Sequence, residues 1–143
     1  MKYKNNNKKS NVINFSVDIE TDGNLIGKNS MISFGIVLVD ENLNKTFYGE
    51  LKPIGDDFSP KALEVANFTR EETLNFKDAS EVMKDFQKWI KEVNPENKRL
   101  LFWSDNNGFD FAWINWYCLT FLNENPFGHS SFNLGSLYKG LVK

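Results

Sequence analysis

Hydrophobic and polar positions alternate near the start of the chain in the way that a β-strand requires. Residues 12–20 place an apolar side chain at every second position, so one face of this segment is apolar and the other is polar. Residues 31–39 form a nearly continuous β-prone run, which predicts a second, well-buried strand. Turn-forming residues at 40–44 and a third β-prone segment at 46–51 predict that the second and third strands form a hairpin.

In the rest of the chain, segments whose apolar residues recur at helical spacing alternate with short apolar segments that predict strands. Ser59 offers an N-cap with Pro60 at the first helical position, and Asp78 with Glu81 has the form of a capping box. Apolar residues then recur at helical spacing up to Pro95, which predicts an amphipathic helix. The elements predicted in this part are a helix at 60–66, a helix at 79–93, a strand at 100–104, a helix at 109–122, a strand at 130–133 and the beginning of a helix at 134–143.

This order of elements predicts one α/β domain built on a mixed five-stranded sheet. The 143 residues suffice for one domain and are too few for two. We expect three antiparallel strands followed by parallel strands that crossover helices connect, with helices flanking the sheet and the last helix incomplete. Residues 1–10 are expected to form a flexible basic tail, so that the domain occupies residues 11–143. The tail lysines either keep the tail solvated or make weak phosphate contacts; they are Lys2, Lys4, Lys8 and Lys9.

Composition and charge narrow the class of protein. Hydrophobic residues make up 41% and charged residues 25% of the chain, which is typical of a globular protein. The net charge of −2 excludes a basic protein that coats nucleic acid, although bound cations supply positive charge locally. Cys118 is the single cysteine, so no internal disulfide forms, and we expect its side chain in the core. The apolar runs are too short to cross a bilayer, and we expect a soluble, cytoplasmic protein without a membrane partner.

Three acidic residues are candidates for metal-dependent chemistry. Asp18 and Glu20 are two residues apart at the end of the first predicted strand, so their side chains share one face. Side-by-side carboxylates repel, and a hard divalent cation such as Mg²⁺ or Mn²⁺ relieves that repulsion. Asp110 lies in the first turn of the helix that follows the fourth strand, where parallel strands bring their ends together. The alternatives are solvated acids for the pair and a helix-dipole acid for Asp110, but the dipole does not explain why Asp110 falls on the apolar face.

Two segments resemble the acidic motifs of the DEDD-type 3′-5′ exonucleases, a family of the ribonuclease H-like superfamily. FSVDIETDG at residues 15–23 is similar to the first motif, and SDNNGFD at 104–110 is similar to the second. Between them, MISFGIVLVDEN and LEVANFTREE resemble the family's second strand and the segment beside the terminal nucleotide. The family includes the proofreading subunit of DNA polymerase III, ribonuclease T and oligoribonuclease. The match runs in order over residues 12–138, most of the chain.

The resemblance implies a ribonuclease H-like fold and a hydrolase that removes nucleotides from the 3′ end of single-stranded DNA or RNA. Two Mg²⁺ or Mn²⁺ ions, about 3.5–4 Å apart, would bind the scissile phosphate. Asp18 would contact both ions, Glu20 one of them and Asp110 the second, so these are the implied catalytic and metal-binding residues. The implied nucleic-acid contacts come from the backbone near Thr21 and from Asp22, Val65, Phe68 and Asn106.

The family's third motif has no counterpart in this sequence. The motif requires an aspartate on a last helix, preceded by a catalytic histidine or tyrosine. His129 is the single histidine and precedes the predicted fifth strand, and Tyr138 is followed four residues later by Val142 instead of aspartate. We therefore expect a chain that is truncated at its C-terminus, inside a helix, and that cleaves far more slowly than a complete exonuclease or not at all.

Rival interpretations follow from that departure. The leading interpretation is a metal-dependent 3′-5′ exonuclease, and its rivals are a catalytically inactive nucleic-acid-binding module of the same fold and a structural or interaction domain. Most aromatic side chains are expected in the core, and Trp113 and Trp116 are the best candidates for stacking on a base. The choice between DNA and RNA and the oligomeric state do not follow from the sequence.

Overall fold

A mixed five-stranded sheet runs through the protein, whose computed structural model describes residues 10–142. The elements are β1 (Val12–Thr21), β2 (Met31–Leu38), β3 (Thr46–Glu50), α1 (Pro60–Ala66), α2 (Arg70–Leu74), α3 (Ala79–Val93), β4 (Arg99–Ser104), α4 (Asn107–Leu122), β5 (Ser131–Asn133) and α5 (Leu134–Leu141). The strands lie in the order β3-β2-β1-β4-β5, and the predicted mixed α/β fold is confirmed. The four tail lysines and Lys143 lie outside the described residues.

β1 lies at the centre of the sheet, between an antiparallel and a parallel neighbour. On one side it pairs with β2, and Asp18 stands opposite Gly35. On the other side it pairs with β4 in parallel, and Ser16 stands opposite Trp103. β1 and β4 therefore end at the same edge of the sheet, the edge at which parallel strands present ligand sites.

One face of the sheet packs against α3 and α4 to form the core. Phe15, Val17 and Ile19 of β1 are at most 6% exposed, as the alternation along this strand predicts. Phe86 of α3 meets Phe34 of β2 edge to face, with ring centroids 5.4 Å apart. Burial of each such side chain contributes about 1.5–3 kcal/mol, so this layer is the main source of stability.

The short helix α2 is absent from the elements predicted above. Thr69 begins it with a capping box: the Thr69 hydroxyl accepts from the Glu72 N–H at 3.1 Å, and the Glu72 carboxylate accepts from the Thr69 N–H at 2.7 Å. Five residues are too few to show helical periodicity, so this Thr-x-x-Glu signature was the available signal.

The N-terminal cap of α3 and the first residue of α4 differ from their predictions. α3 begins at Ala79 as predicted, but the capping box of Asp78 and Glu81 is wrong. The Asp78 carboxylate accepts from the Ser80 N–H at 2.9 Å, and the Glu81 side chain makes no hydrogen bond within residues 10–142. α4 begins at Asn107, earlier than predicted, so that only a tight turn separates it from β4.

The environment of Cys118 agrees with its predicted place in the core. The side chain is buried in α4, and burial raises the pKa of the thiol to about 12, which keeps it protonated at neutral pH. Within residues 10–142, every helix is too short or too polar to cross a membrane.

Candidate active site

The end of β1 carries Asp18 and Glu20 on the face of the sheet that points away from the core. Val17 and Ile19 point inward, and the alternation of the strand directs the two carboxylates the other way. Asp18 is exposed and Glu20 is half-buried. A central, well-packed strand therefore holds both side chains where solvent reaches their oxygens.

Asp110 lies in the first turn of α4, just beyond the end of β4. Its backbone N–H donates to the Asn106 carbonyl at 3.0 Å, and Asn106 occupies the N-cap position without a side-chain capping bond. The Asp110 side chain is 6% exposed and shares its helix face with the buried side chains of Ile114 and Tyr117. The inward direction predicted for this acid is therefore confirmed.

The carboxylates lie close enough together for their charges to raise the pKa values of Glu20 and Asp110. Burial raises the pKa of Asp110 to about 6, and the charges of Asp18 and Asp105 add to the increase. Burial also raises the pKa of Glu20, and the charges of Asp18 and Asp110 raise it further. The structure thus brings Asp18, Glu20 and Asp110 together at one edge of the sheet.

A buried hydroxyl adjoins the Asp110 carboxyl. Ser104, the last residue of β4, is 1% exposed, and its Oγ is the single buried side-chain polar atom without a hydrogen-bond partner within residues 10–142. The hydroxyl lies beside Asp110 and lowers the pKa of its carboxyl, although its position falls short of hydrogen-bond geometry. A hydrogen bond from Ser104 to the ionised carboxylate would satisfy the hydroxyl, and Asp110 is the neighbouring group on which Ser104 acts.

The donor chemistry of this site suits a hard divalent cation. All three side chains are carboxylates, the ligand type that Mg²⁺ and Mn²⁺ prefer. The raised pKa values of Glu20 and Asp110 reflect burial and crowded negative charge, which a cation relieves. In the part of the chain that the structure describes, however, no group of three or more His, Cys, Asp and Glu side chains is gathered closely enough to hold an ion. The carboxylate oxygens are therefore suitable ligands for a divalent cation, but the side chains of Asp18, Glu20 and Asp110 must rotate towards one another to coordinate the same ion.

A cleft of about 330 Å³ opens directly beside Glu20. Its walls come from the end of β1, the β1–β2 loop, α1 and the start of α4. The lining residues are Ile19, Glu20, Thr21, Asn24, Ser59, Lys61, Ala62, Val65 and Phe109. Thr21 and Val65, two of the predicted nucleic-acid contacts, therefore lie in the lining, whereas Phe68 and Asn106 do not.

Sequence reasoning did not select most of the lining residues, among them Phe109 and Lys61. Phe109 precedes Asp110 within the second motif, so its place in the motif was a signal that it faces the same site. Lys61 is the one basic side chain of the lining and follows the Ser59-Pro60 helix start. A single lysine on a short helix carries no pattern, so sequence alone gave no reason to select it.

Asp22 does not face the cleft. Its side chain is fully buried; Oδ1 accepts from the Ser30 N–H at 2.6 Å, and Oδ2 pairs with Arg70 at 3.0 Å. Burial raises the pKa of this carboxyl, and the bonds from Ser30 and Arg70 oppose that increase. The prediction that the Asp22 side chain contacts nucleic acid is wrong, because both of its oxygens are engaged inside the protein.

The aromatic side chains mostly pack in the core, as expected. Trp113 is 1% exposed, which corrects its selection as a stacking residue because no base can reach it. Trp116 is partly buried against Tyr117, with ring centroids 5.2 Å apart. Trp103 stacks on Phe132 of β5 at 4.7 Å and donates its indole N–H to Asn14.

His129 lies away from the three carboxylates. It lines a groove with Lys98 and Arg99 at the beginning of β4, whereas Asp110 follows the end of that strand. The length of β4 therefore separates the imidazole from the acidic edge of the sheet. Tyr138 lies on α5 and is 67% exposed.

Comparison with known proteins identifies relatives among nucleases. No protein-family model matches the chain. The 3′-5′ DNA exonuclease Cap18 of Escherichia coli is 38% identical over 127 residues, which cover 88% of this chain and 67% of that protein. The aligned segment therefore spans most of this chain and about two thirds of the relative.

Solved structures with the same fold are also nucleases. The nuclease domain of 3′hExo, a DEDDh family member bound to rAMP, has a TM-score of 0.72 at 17% identity and aligns with 90% of this chain and 69% of its own. Cell-death related nuclease 4 has a TM-score of 0.73 at 16% identity, with 92% and 49% covered. E. coli exonuclease I in complex with a dT13 oligonucleotide has a TM-score of 0.71 at 15% identity, with 90% and 29% covered. With the identity to Cap18, these matches show that the chain belongs to the DEDD-type 3′-5′ exonucleases, hydrolytic enzymes of the ribonuclease H-like superfamily.

Proposed function

We propose that this chain acts on the 3′ end of a single DNA strand and that Asp18, Glu20 and Asp110 are its catalytic carboxylates. The observation that carries the proposal is the position of these three side chains at one edge of the sheet, beside an open cleft. They lie close enough for Asp18 and Asp110 to raise the pKa of Glu20 and for Asp18 to raise the pKa of Asp110. DNA is the proposed substrate because the relative with 38% identity is named a DNA exonuclease.

The same three carboxylates are the proposed ligands of Mg²⁺ or Mn²⁺, with two ions in a complete site. Asp18 is exposed and Glu20 half-buried, so both side chains are free to rotate towards a bound cation. Asp18, Glu20 and Asp110 would hold these ions, which would supply activation of the attacking water and stabilisation of the departing 3′ oxygen. Ser104 is suited to hold the Asp110 carboxylate in its ionised form, since its buried hydroxyl has no other partner among the described residues.

The cleft beside Glu20 is the proposed site of the terminal nucleotide. Phe109 offers an aromatic wall, Val65 is 75% exposed at the rim, and the Thr21 backbone follows Glu20 directly. Lys61 supplies a positive charge to a lining that otherwise carries the negative charge of Glu20. Asn106 lies outside this lining, next to the acidic edge, and is proposed to contact the strand there.

A catalytically inactive binding module is the second candidate, and the place of His129 favours it. Within residues 10–142 no histidine lies near the carboxylates, so the chain offers no imidazole to accept a proton from water. Both candidates share the division into a tail at residues 1–10 and a domain at 11–143, and both are assigned to the cytoplasm. They differ only in whether the strand is cut.

Incubation with a 5′-labelled single-stranded deoxyoligonucleotide and Mg²⁺ or Mn²⁺ tests the proposal. We expect a slow, metal-dependent ladder that shortens from the 3′ end, and no ladder from Asp18→Asn. An equal ladder from Asp18→Asn means a contaminating nuclease. Binding without cleavage by the parent chain favours the inactive module. An RNA of the same sequence, run in parallel, decides the sugar preference.

A further inference from the structure

Arg70 connects α2 to two loops beside the nucleotide cleft. Its Nη1 donates to Asp22 Oδ2 at 3.0 Å, and its Nη2 donates to the Gly55 carbonyl at 2.7 Å. The guanidinium also lies over the Phe58 ring, 4.7 Å from the centroid. The side chain of Arg70 is only 16% exposed, so these contacts fix it in one orientation.

Asp22 is the centre of this connection. Besides Arg70, it binds the start of β2, because its Oδ1 accepts from the Ser30 N–H at 2.6 Å and its own N–H donates to the Ser30 carbonyl at 2.9 Å. Its carbonyl accepts from the Ser59 N–H at 2.6 Å. One buried residue thus joins the end of β1, the start of β2 and the N-cap of α1.

These joined segments are the walls of the cleft. Thr21, which precedes Asp22, and Ser59, which donates to it, both line the cleft beside Glu20. If the arginine is removed, Asp22 becomes a buried charge that lacks its partner, and the structure around it must rearrange. Because Thr21 and Ser59 lie next to that residue, the rearrangement changes the shape of the cleft.

We infer that Arg70 is a positioning residue for the nucleotide cleft, acting through Asp22 on Thr21 and Ser59. The inference rests on the proposed function of the cleft. Among the described residues Arg70 makes its hydrogen bonds to Asp22 and Gly55, neither of which is one of the three catalytic carboxylates or lines the cleft. Its removal should therefore weaken the binding of the terminal nucleotide and leave the rate of the cleavage step nearly unchanged. Two separate donors are needed, one for Asp22 and one for Gly55, which lysine does not provide in the same planar arrangement.

Three variants test this role. Arg70→Met removes both hydrogen bonds. Arg70→Lys keeps the positive charge beside Asp22 but removes the planar guanidinium, which donates to Asp22 and Gly55 at the same time. Lys77→Met is the matched control, since it removes an ion pair with Asp85 in which both side chains are about half exposed. For each variant, KM and kcat are measured on a dT oligonucleotide, and Kd is measured on the same strand, fluorescein-labelled, with Ca²⁺ in place of Mg²⁺. All measurements are made well below the melting temperature of each variant.

We expect KM and Kd of Arg70→Met to rise roughly tenfold with kcat nearly unchanged, the lower end of what loss of a supporting group costs. Arg70→Lys should recover part of that loss, and Lys77→Met should match the parent. An Arg70→Met protein with parental KM and Kd contradicts the inference. So does an Arg70→Met protein whose kcat falls in proportion to the fraction of folded protein while its KM and Kd stay at the parental values. If the parent binds the strand without cutting it, Kd alone decides. A parent that neither binds nor cuts contradicts the proposed function and removes this inference with it.

Discussion

The charge of Asp18 raises the pKa of Asp110, although Asp18 lies near the end of the first strand and Asp110 lies in the first turn of α4, 92 positions later in the chain. The parallel pairing of β1 with β4 creates this relationship, since it brings the ends of both strands to one edge. Burial is the larger cause of the raised pKa, so the site places an acid where its ionisation is costly without a counter-ion.

Asp110→Asn should stabilise the metal-free protein at neutral pH. The folded pKa of about 6 exceeds the ordinary value of 3.8, so the ionised carboxylate destabilises the fold as the pH rises through 6. Below 3.8 the group is protonated in both states and has no effect. We expect a gain of about 1–3 kcal/mol at pH 7.5, reduced by partial solvent screening, and little change at pH 3.5.

Urea unfolding of parent and variant at both pH values measures this difference. Glu41→Gln, on the exposed β2–β3 turn, is the control for loss of one negative charge. A gain of the same size at both pH values would mean that ionisation of Asp110 is not its cause.

Mn²⁺ should raise the melting temperature of the parent chain more at pH 7.5 than at pH 5. The cation binds the folded carboxylates and relieves their repulsion, and protons compete for the same oxygens at the lower pH because the pKa values of Glu20 and Asp110 are raised. Thermal unfolding with and without metal gives the shift. Equal shifts in the parent and in Asp18→Asn would rule out a site at these residues.

Phe109→Ala should weaken the binding of the terminal nucleotide in the cleft. Phe109 is the one aromatic side chain in the lining of the cleft beside Glu20, and an aromatic contact to a base is worth about 1–3 kcal/mol. We expect KM on a dT oligonucleotide to rise about 5–150-fold, with the KM of Phe132→Ala, on the edge strand β5, near the parental value. If the two alanine variants behave alike, the cleft does not hold the nucleotide.

Tyr117→Phe should destabilise the fold without touching the carboxylates. The Tyr117 hydroxyl accepts from the Met31 N–H at 2.8 Å, and both residues are fully buried. Loss of the oxygen leaves that N–H unsatisfied, at a cost of about 1–3 kcal/mol in the free energy of unfolding. Urea titration measures this against Tyr48→Phe, whose side chain is 61% exposed and whose change should stay within about 0.5 kcal/mol.

The long, regular elements and the acidic pair follow from the sequence because their patterns are local. Alternation along β1 gives both its buried face and the common face of Asp18 and Glu20. The spacing of Ile114 and Tyr117 from Asp110 likewise predicts that this acid points inward. In each case the residues that define the pattern lie within one element.

Relationships between distant residues do not follow from such patterns. Asp22 and Arg70 are 48 positions apart, and neither residue belongs to a periodic series, so nothing in the sequence pairs them. Trp113 was misjudged because α4 also carries apolar side chains beside the row of Asp110, Ile114 and Tyr117, so the spacing of that row does not show how far the buried face extends.

The central position of β1 has a consequence for how the protein is made. Every acidic residue of the site except Asp110 leaves the ribosome with the first strand, but the parallel partner β4 is synthesised only after α1, α2 and α3. A nascent chain that ends before β4 can form the β1–β2–β3 meander, yet it leaves one side of β1 unpaired and open to other strands. The site therefore assembles late in synthesis, and the pairing that completes it is of the long-range kind that slows folding.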